Sequence, residues 1–193
     1  MNKMIFSQKE IKDLAKAWII ISLIFTIAFG ARTLDLKNLF LFIISGVTVG
    51  LGFLLHELAH KYFAQKYKCW AEFRSFDSML FIALLLSFIG VIFAAPGAVM
   101  IRGNINTRKN GIISLAGPVT NVVLGVLFIL IALIPGFKLM GSLGAQINFF
   151  LALFNMIPFA IFDGAKVWKW NKQVYIITVV VAFVLLSSMK FIV

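Results

Sequence analysis

His56 and His60 are the only histidines of the chain, and they stand four residues apart in the stretch LGFLLHELAHKYFAQKYK, residues 51–68. On a helix, positions i and i+4 share a face, so the two imidazoles can grip one ion between them. Glu57 lies one position round, within reach of water at that ion. This is the His-Glu-x-x-His arrangement, in which two neutral imidazoles bind zinc and the glutamate takes a proton from water. For two histidines scattered at random, this spacing with Glu in second place has odds on the order of one in ten thousand. A pair of histidines capping a helix at a membrane interface is the plainer alternative. It leaves Glu57 unexplained, because a carboxylate is costly in a lipid-facing position.

Catalytic zinc usually has three protein ligands and one open position. No further histidine is present, and the single cysteine, Cys69, allows neither a thiolate cluster nor an intrachain disulfide and reads as a packing residue. The third ligand is therefore a carboxylate, from Asp163, Glu72, Asp77, Asp35, Glu10 or Asp13. Glu72 and Asp77 flank Arg74 in a charged loop and read better as solvated charges. Asp163 sits in FNMIPFAIFDGAKV, with apolar residues just before it and no cation until Lys166. A carboxylate in such a place needs a partner, and zinc is a suitable one.

The elements that must position these groups are apolar. Of the 193 residues, 62% are hydrophobic, and the mean hydropathy is +1.02, where a soluble domain has about 45–50% apolar residues. The expectation is an all-α polytopic membrane protein, one domain over 1–193 with a core at about 39–164. Apolar segments run roughly 14–30, 39–65, 76–101, 111–135, 140–162 and 173–192, against about 20 residues needed to span. The N-terminus reads as an uncleaved first membrane helix, since its long charged prefix does not suit a signal peptide. The net charge of +11 comes without any aromatic-basic binding module, so it is assigned to topology and anionic headgroups rather than to nucleic acid.

If 76–101 enters and leaves on one side, fourteen of the eighteen Lys and Arg residues lie on the cytoplasmic side, and only Arg32, Lys37, Lys138 and Lys190 lie outside. Its stretch SFIGVIFAAPGAVMIRG carries Gly90, Pro96 and Gly97 and a β-prone tail. These features favour five spanning helices plus a re-entrant, β-prone element between the second helix and the next core helix, with the N-terminus cytoplasmic. An ordinary sixth helix is the alternative, so the expected count is five to six.

Gly141, Ala145, Asn148, Ala152 and Asn155 form a small and polar stripe at three- and four-residue steps, the mark of a helix–helix interface in membranes. Gly46 and Gly50 place a small face on the motif helix, and Gly117, Asn121 and Gly125 do the same in the fourth segment. Pro158 ends or kinks its helix, and Gly164 lets the chain turn after Asp163. Three helices are thereby expected close enough for His56, His60 and Asp163 to meet. His56 lies about 26 Å along its helix from Leu39, at 1.5 Å per residue, which puts the site inside the membrane boundary but nearer its cytoplasmic face.

HELAH at 56–60, AGPVTN at 116–121 and FNMIPFAIFDG at 154–164 together resemble the site-two protease family of intramembrane zinc metalloproteases, in a small form without PDZ or CBS domains. The resemblance covers about 39–164 with its motifs in order. It implies His56, His60 and Asp163 as ligands of one Zn2+ per chain, Glu57 as general base, and Asn155 as a hydrogen-bond partner of the reacting carbonyl or the attacking water. It implies peptide-bond hydrolysis in or beside a transmembrane helix of a membrane-protein substrate; the small size and the positive-inside bias point to a multi-pass protein of a prokaryotic cell membrane. The sequence departs from the family at IPFAIFDGA, which lacks a second proline and a double glycine. The 76–101 segment is also longer than a simple hairpin and could form a gate or a substrate-pairing edge. The same ligands would serve a zinc transporter or sensor, or a catalytically silent zinc-binding protein. The first is disfavoured by the lack of polar residues in LFLFIISGVTVGLGFLL, and the second by the complete His, Glu, Asn and Asp set.

Overall fold

The computed structural model describes residues 4–31, 33, 35–92 and 96–192. Lys3, Arg32 and residues 93–95, which entered the topology argument above, lie outside the described residues. Ser7 accepts a hydrogen bond from the Glu10 backbone N–H and starts α1 (Gln8–Ala28), an N-cap of the ordinary kind. Asp35 caps α2 (Leu36–Ser45) in the same way. A five-residue π turn, Gly46–Gly50, carries α2 into α3 (Leu51–Lys66) without a break. The chain continues through β1 (Trp70–Ser75), α4 (Asp77–Ser87), β2 (Gly97–Arg102), α5 (Thr107–Ala132), α6 (Lys138–Asn155), α7 (Asp163–Trp170) and α8 (Lys172–Ile192).

Among the described residues, three helical stretches are long and apolar enough to cross a membrane: Leu36–Lys66, Thr107–Ala132 and Lys172–Lys190. They are consistent with a membrane protein. Their outer faces are apolar too, with Val123, Leu127 and Leu130 of α5 and Ile176, Ile177, Val180 and Phe183 of α8 all exposed. The expected five to six spans are not found on this criterion, and the reasons are local. α1 carries Lys9, Glu10, Lys12, Asp13 and Lys16 through its first half. α4 has only 11 residues, about 16 Å at 1.5 Å per residue. α6 has 18 residues diluted by Lys138, Ser142, Gln146, Asn148 and Asn155.

The 76–101 segment is neither a plain helix nor a plain strand. β1 and β2 pair antiparallel with Ser75 opposite Gly97, and the Phe76 N–H donates to Pro96 O at 3.0 Å. The chain between them therefore leaves and returns at one place. The β-prone tail forms β2, and the apolar front forms the short α4.

Three packing groups tie the elements together. Ala17 and Ile21 of α1 meet Val49 of the π turn and Phe73 of β1. Ala64 of α3, Cys69, Ala71 of β1 and Ile113 of α5 form a second group, so the cysteine does pack. Phe128 of α5, Ala145 and Phe149 of α6 and Met189 of α8 form a third. The stripe on α6 is an interface, with Ala145, Asn148 and Ala152 fully buried. Gly46 and Gly50 serve a different contact from the one expected. They admit Trp18 of α1, whose Nε1 donates to Gly46 O at 3.0 Å, and a Cβ on Gly50 would lie 2.6 Å from that nitrogen. Pro118 sits inside α5 without ending it.

Candidate metal centre

α3 presents His56 and His60 on one face, both buried. α5 crosses behind them, and Gly117 makes the approach possible: a Cβ there would lie 2.5 Å from His56 Nε2 and 2.6 Å from His60 Nε2. α6 ends at Asn155, and the chain turns through Pro158 to start α7 at Asp163. Gly164 lets the two helix ends abut, since a Cβ there would lie 2.2 Å from Met156 O. Asp163 thereby faces the histidines, from the start of α7 rather than from the end of the preceding helix. Its Oδ2 is 3.3 Å from His56 Nε2 and 3.1 Å from His60 Nε2.

The two outer ring nitrogens identify the inner ones. His56 Nδ1 lies 2.5 Å from Asn121 Oδ1, and His60 Nδ1 lies 2.7 Å from Ile113 O. A backbone carbonyl only accepts, so His60 Nδ1 carries a hydrogen. Asn121 Nδ2 donates to Gly52 O at 3.1 Å and to Asn148 Oδ1 at 3.0 Å, which leaves its Oδ1 to accept from His56. Asn148 is oriented in turn by donating to Gly144 O at 2.9 Å and Thr48 O at 3.4 Å. With a hydrogen on Nδ1, each ring in its neutral form turns an Nε2 lone pair toward one carboxylate oxygen, an assignment that follows from the hydrogen-bond network.

Three acceptors converging on one point repel unless a cation lies between them. Ligand atoms about 2.0–2.1 Å from a tetrahedral zinc ion lie about 3.3–3.4 Å from one another, close to the separations seen. The residues fit the ion. Lys166 Nζ reaches the other Asp163 oxygen at 3.5 Å.

Glu57 offers an oxygen within 4.8 Å of the His56 and His60 ligand atoms, and its Oε2 accepts from the Val99 N–H of β2 at 3.0 Å. His56, Glu57, His60 and Asp163 line a cavity of about 390 Å³ together with Asn155 and Lys166. Asn155 Nδ2 donates to Leu151 O at 3.0 Å, which leaves one N–H of that amide for another partner.

The remaining carboxylates are engaged elsewhere. Glu10 pairs with Lys61 at 2.5 Å, both side chains fully buried, and also accepts from the Phe73 N–H at 2.9 Å. Lys61, one of the fourteen basic residues expected on the cytoplasmic side, is an interior residue with its charge paired inside the protein. Glu72 pairs with Arg74. Asp77 pairs with Lys16 at 2.5 Å, Asp13 contacts Lys16 and Ser75, and Asp35 caps α2. Asn121 and Asn148, both fully buried, had been placed only in packing stripes. An amide in an apolar helix needs a partner, and that signal could have marked them.

The class these features define is a helical protein with long apolar helices and a buried His-Glu-x-x-His group completed by an aspartate. Among known proteins, the chain is 43% identical over 178 residues, 89% of this chain and 90% of the relative, to a protein of Methanocaldococcus jannaschii named "Putative zinc metalloprotease MJ0611". The chain belongs to the same zinc metalloprotease family as that relative. No family model matches the chain, and no solved structure matches it.

Proposed function

We propose that the protein is an intramembrane zinc metalloprotease of the site-two type, which hydrolyses peptide bonds in or beside transmembrane segments of membrane-protein substrates. The observation that carries this reading is the convergence of His56 Nε2 and His60 Nε2, on the long apolar helical stretch Leu36–Lys66, with Asp163 Oδ2 from the start of α7, beside Glu57. His56, His60 and Asp163 hold one Zn2+ per chain. Zinc, when bound, supplies a Lewis acid that acidifies water and polarises a carbonyl. Glu57 takes a proton from the attacking water and delivers it to the leaving amine. Asn155 donates its remaining N–H to the scissile carbonyl. Asn121 and the Ile113 carbonyl hold the two rings in the tautomer that turns Nε2 inward. The multi-pass protein lies in a prokaryotic cell membrane with its N-terminus in the cytoplasm, and an extended substrate segment pairs with the outer edge of β2, whose Gly97, Ala98 and Val99 line the cavity.

The test is zinc content of detergent-purified protein beside Asp163→Ala and Glu72→Ala, with cleavage measured for Glu57→Gln. Stoichiometric zinc is expected in the Glu72 variant and not in the Asp163 variant. Glu57→Gln keeps its zinc and loses at least about 10²–10⁴ in rate. Zinc surviving the Asp163 change, or full activity of Glu57→Gln, overturns the reading.

A further inference from the structure

A second cavity of about 500 Å³ opens beside the first. Phe53, Pro96, Leu151 and Phe154 line both, so the two cavities adjoin at these residues. Among the described residues, its wall is apolar except for Gln146 of α6. The side-chain amide of Gln146 makes no hydrogen bond among the described residues. An amide carries two donors and an acceptor, and leaving these unpaired against apolar surface is unfavourable.

We propose that this chamber receives the apolar transmembrane segment of the substrate, and that Gln146 is a positioning residue whose amide pairs with a substrate peptide group freed as that segment unwinds. The inference rests on the proteolytic reading above. A transmembrane helix satisfies its backbone groups internally, so its carbonyls are shielded until a turn opens. Opening that turn in an apolar chamber strands an N–H and a C=O, and Gln146 offers the complementary pair. Phe25, Ile147 and Phe150 pack against the apolar side chains. A lipid acyl chain would fill the same walls but has no peptide group for the amide to meet.

Gln146 precedes Asn155 by nine residues, about 13 Å along α6 at 1.5 Å per residue. An extended chain covers that distance in about four residues at 3.3 Å each. The peptide group that Gln146 meets is therefore about four residues from the scissile bond.

The probes are two synthetic Leu/Ala-rich single-span peptides in vesicles, one uninterrupted and one with Gly-Pro about four residues from the cleaved bond. Gln146→Leu lowers kcat/KM on the uninterrupted peptide by about tenfold, the worth of one hydrogen bond, and leaves cleavage of the Gly-Pro peptide near the wild-type rate. Gln146→Asn, which keeps an amide, restores part of the loss. Zinc content and thermal unfolding stay at wild-type values in both variants. Equal losses on the two peptides, or no loss on either, overturn the inference while Glu57-dependent cleavage stands. Absence of zinc-dependent cleavage of both peptides by the wild type removes the proteolytic reading, and this inference with it.

Discussion

Asn121 decides how His56 faces the cavity, and the direction of each bond around it traces back to backbone carbonyls that can only accept. Gly144 O and Thr48 O orient Asn148; Asn148 Oδ1 and Gly52 O orient Asn121; Asn121 Oδ1 then takes the His56 Nδ1 hydrogen. Outer partners of this kind typically tune metal affinity by about 10–100-fold. Asn121→Leu is expected to weaken zinc by that factor, read by competition with a chelator, with His56, His60 and Asp163 intact. An unchanged affinity would show that the relay does not orient the ring. The motif residues were legible because their chemistry is local: two imidazoles and a carboxylate within five positions need only a helix to align. The two asparagines were visible as polar residues in apolar helices, but a role needs a partner, and their partners outside their own helices lie 27 to 100 residues away.

At the scale of elements, the contact of α3 with α5 and the strap from α1 to β1 make opposite demands. Gly117→Ala improves intrinsic helix propensity by up to about 1 kcal/mol, yet its Cβ would enter the space between the two Nε2 atoms. The expected variant is a well-folded helical protein, by circular dichroism, that no longer holds zinc. Retained zinc would mean that α5 yields without cost. The Glu10–Lys61 pair holds α1, α3 and β1 together with no solvent to screen it. Lys61→Ala leaves a buried carboxylate uncompensated and should cost roughly 3–5 kcal/mol of stability. Glu10→Leu/Lys61→Met recovers most of it, less about 1–3 kcal/mol for the unpaired Phe73 N–H. Thermal unfolding in detergent measures both variants, and a mild Lys61→Ala would deny the pair a structural role.

For the whole molecule, the path of residues 76–96 sets which loops share a side of the membrane. Because β1 and β2 are antiparallel neighbours and Phe76 bonds Pro96, the ends of α3 and the start of α5 lie together. Single cysteines placed at Lys9, Asn104 and Lys169 should be labelled by an impermeant reagent from one side, and cysteines at Lys37 and Lys138 from the other. Labelling of Asn104 from the side opposite Lys9 would make 76–101 a spanning segment and dismantle the charge argument.

By itself, the sequence determined the apolar helical class, the pairing of His56 with His60, the place of Glu57, and the turn at Pro158 and Gly164 that frees Asp163. Each depends on composition or on spacings of a few residues, which backbone geometry converts directly into position. The tertiary structure decided which of six carboxylates faces the histidines, that Lys61 is buried against Glu10, and that Gly46 and Gly50 admit Trp18. It also decided that 76–101 divides into a short helix and a strand. Those outcomes depend on which distant surfaces meet, and a charge or a glycine carries the same local signal whichever partner it finds.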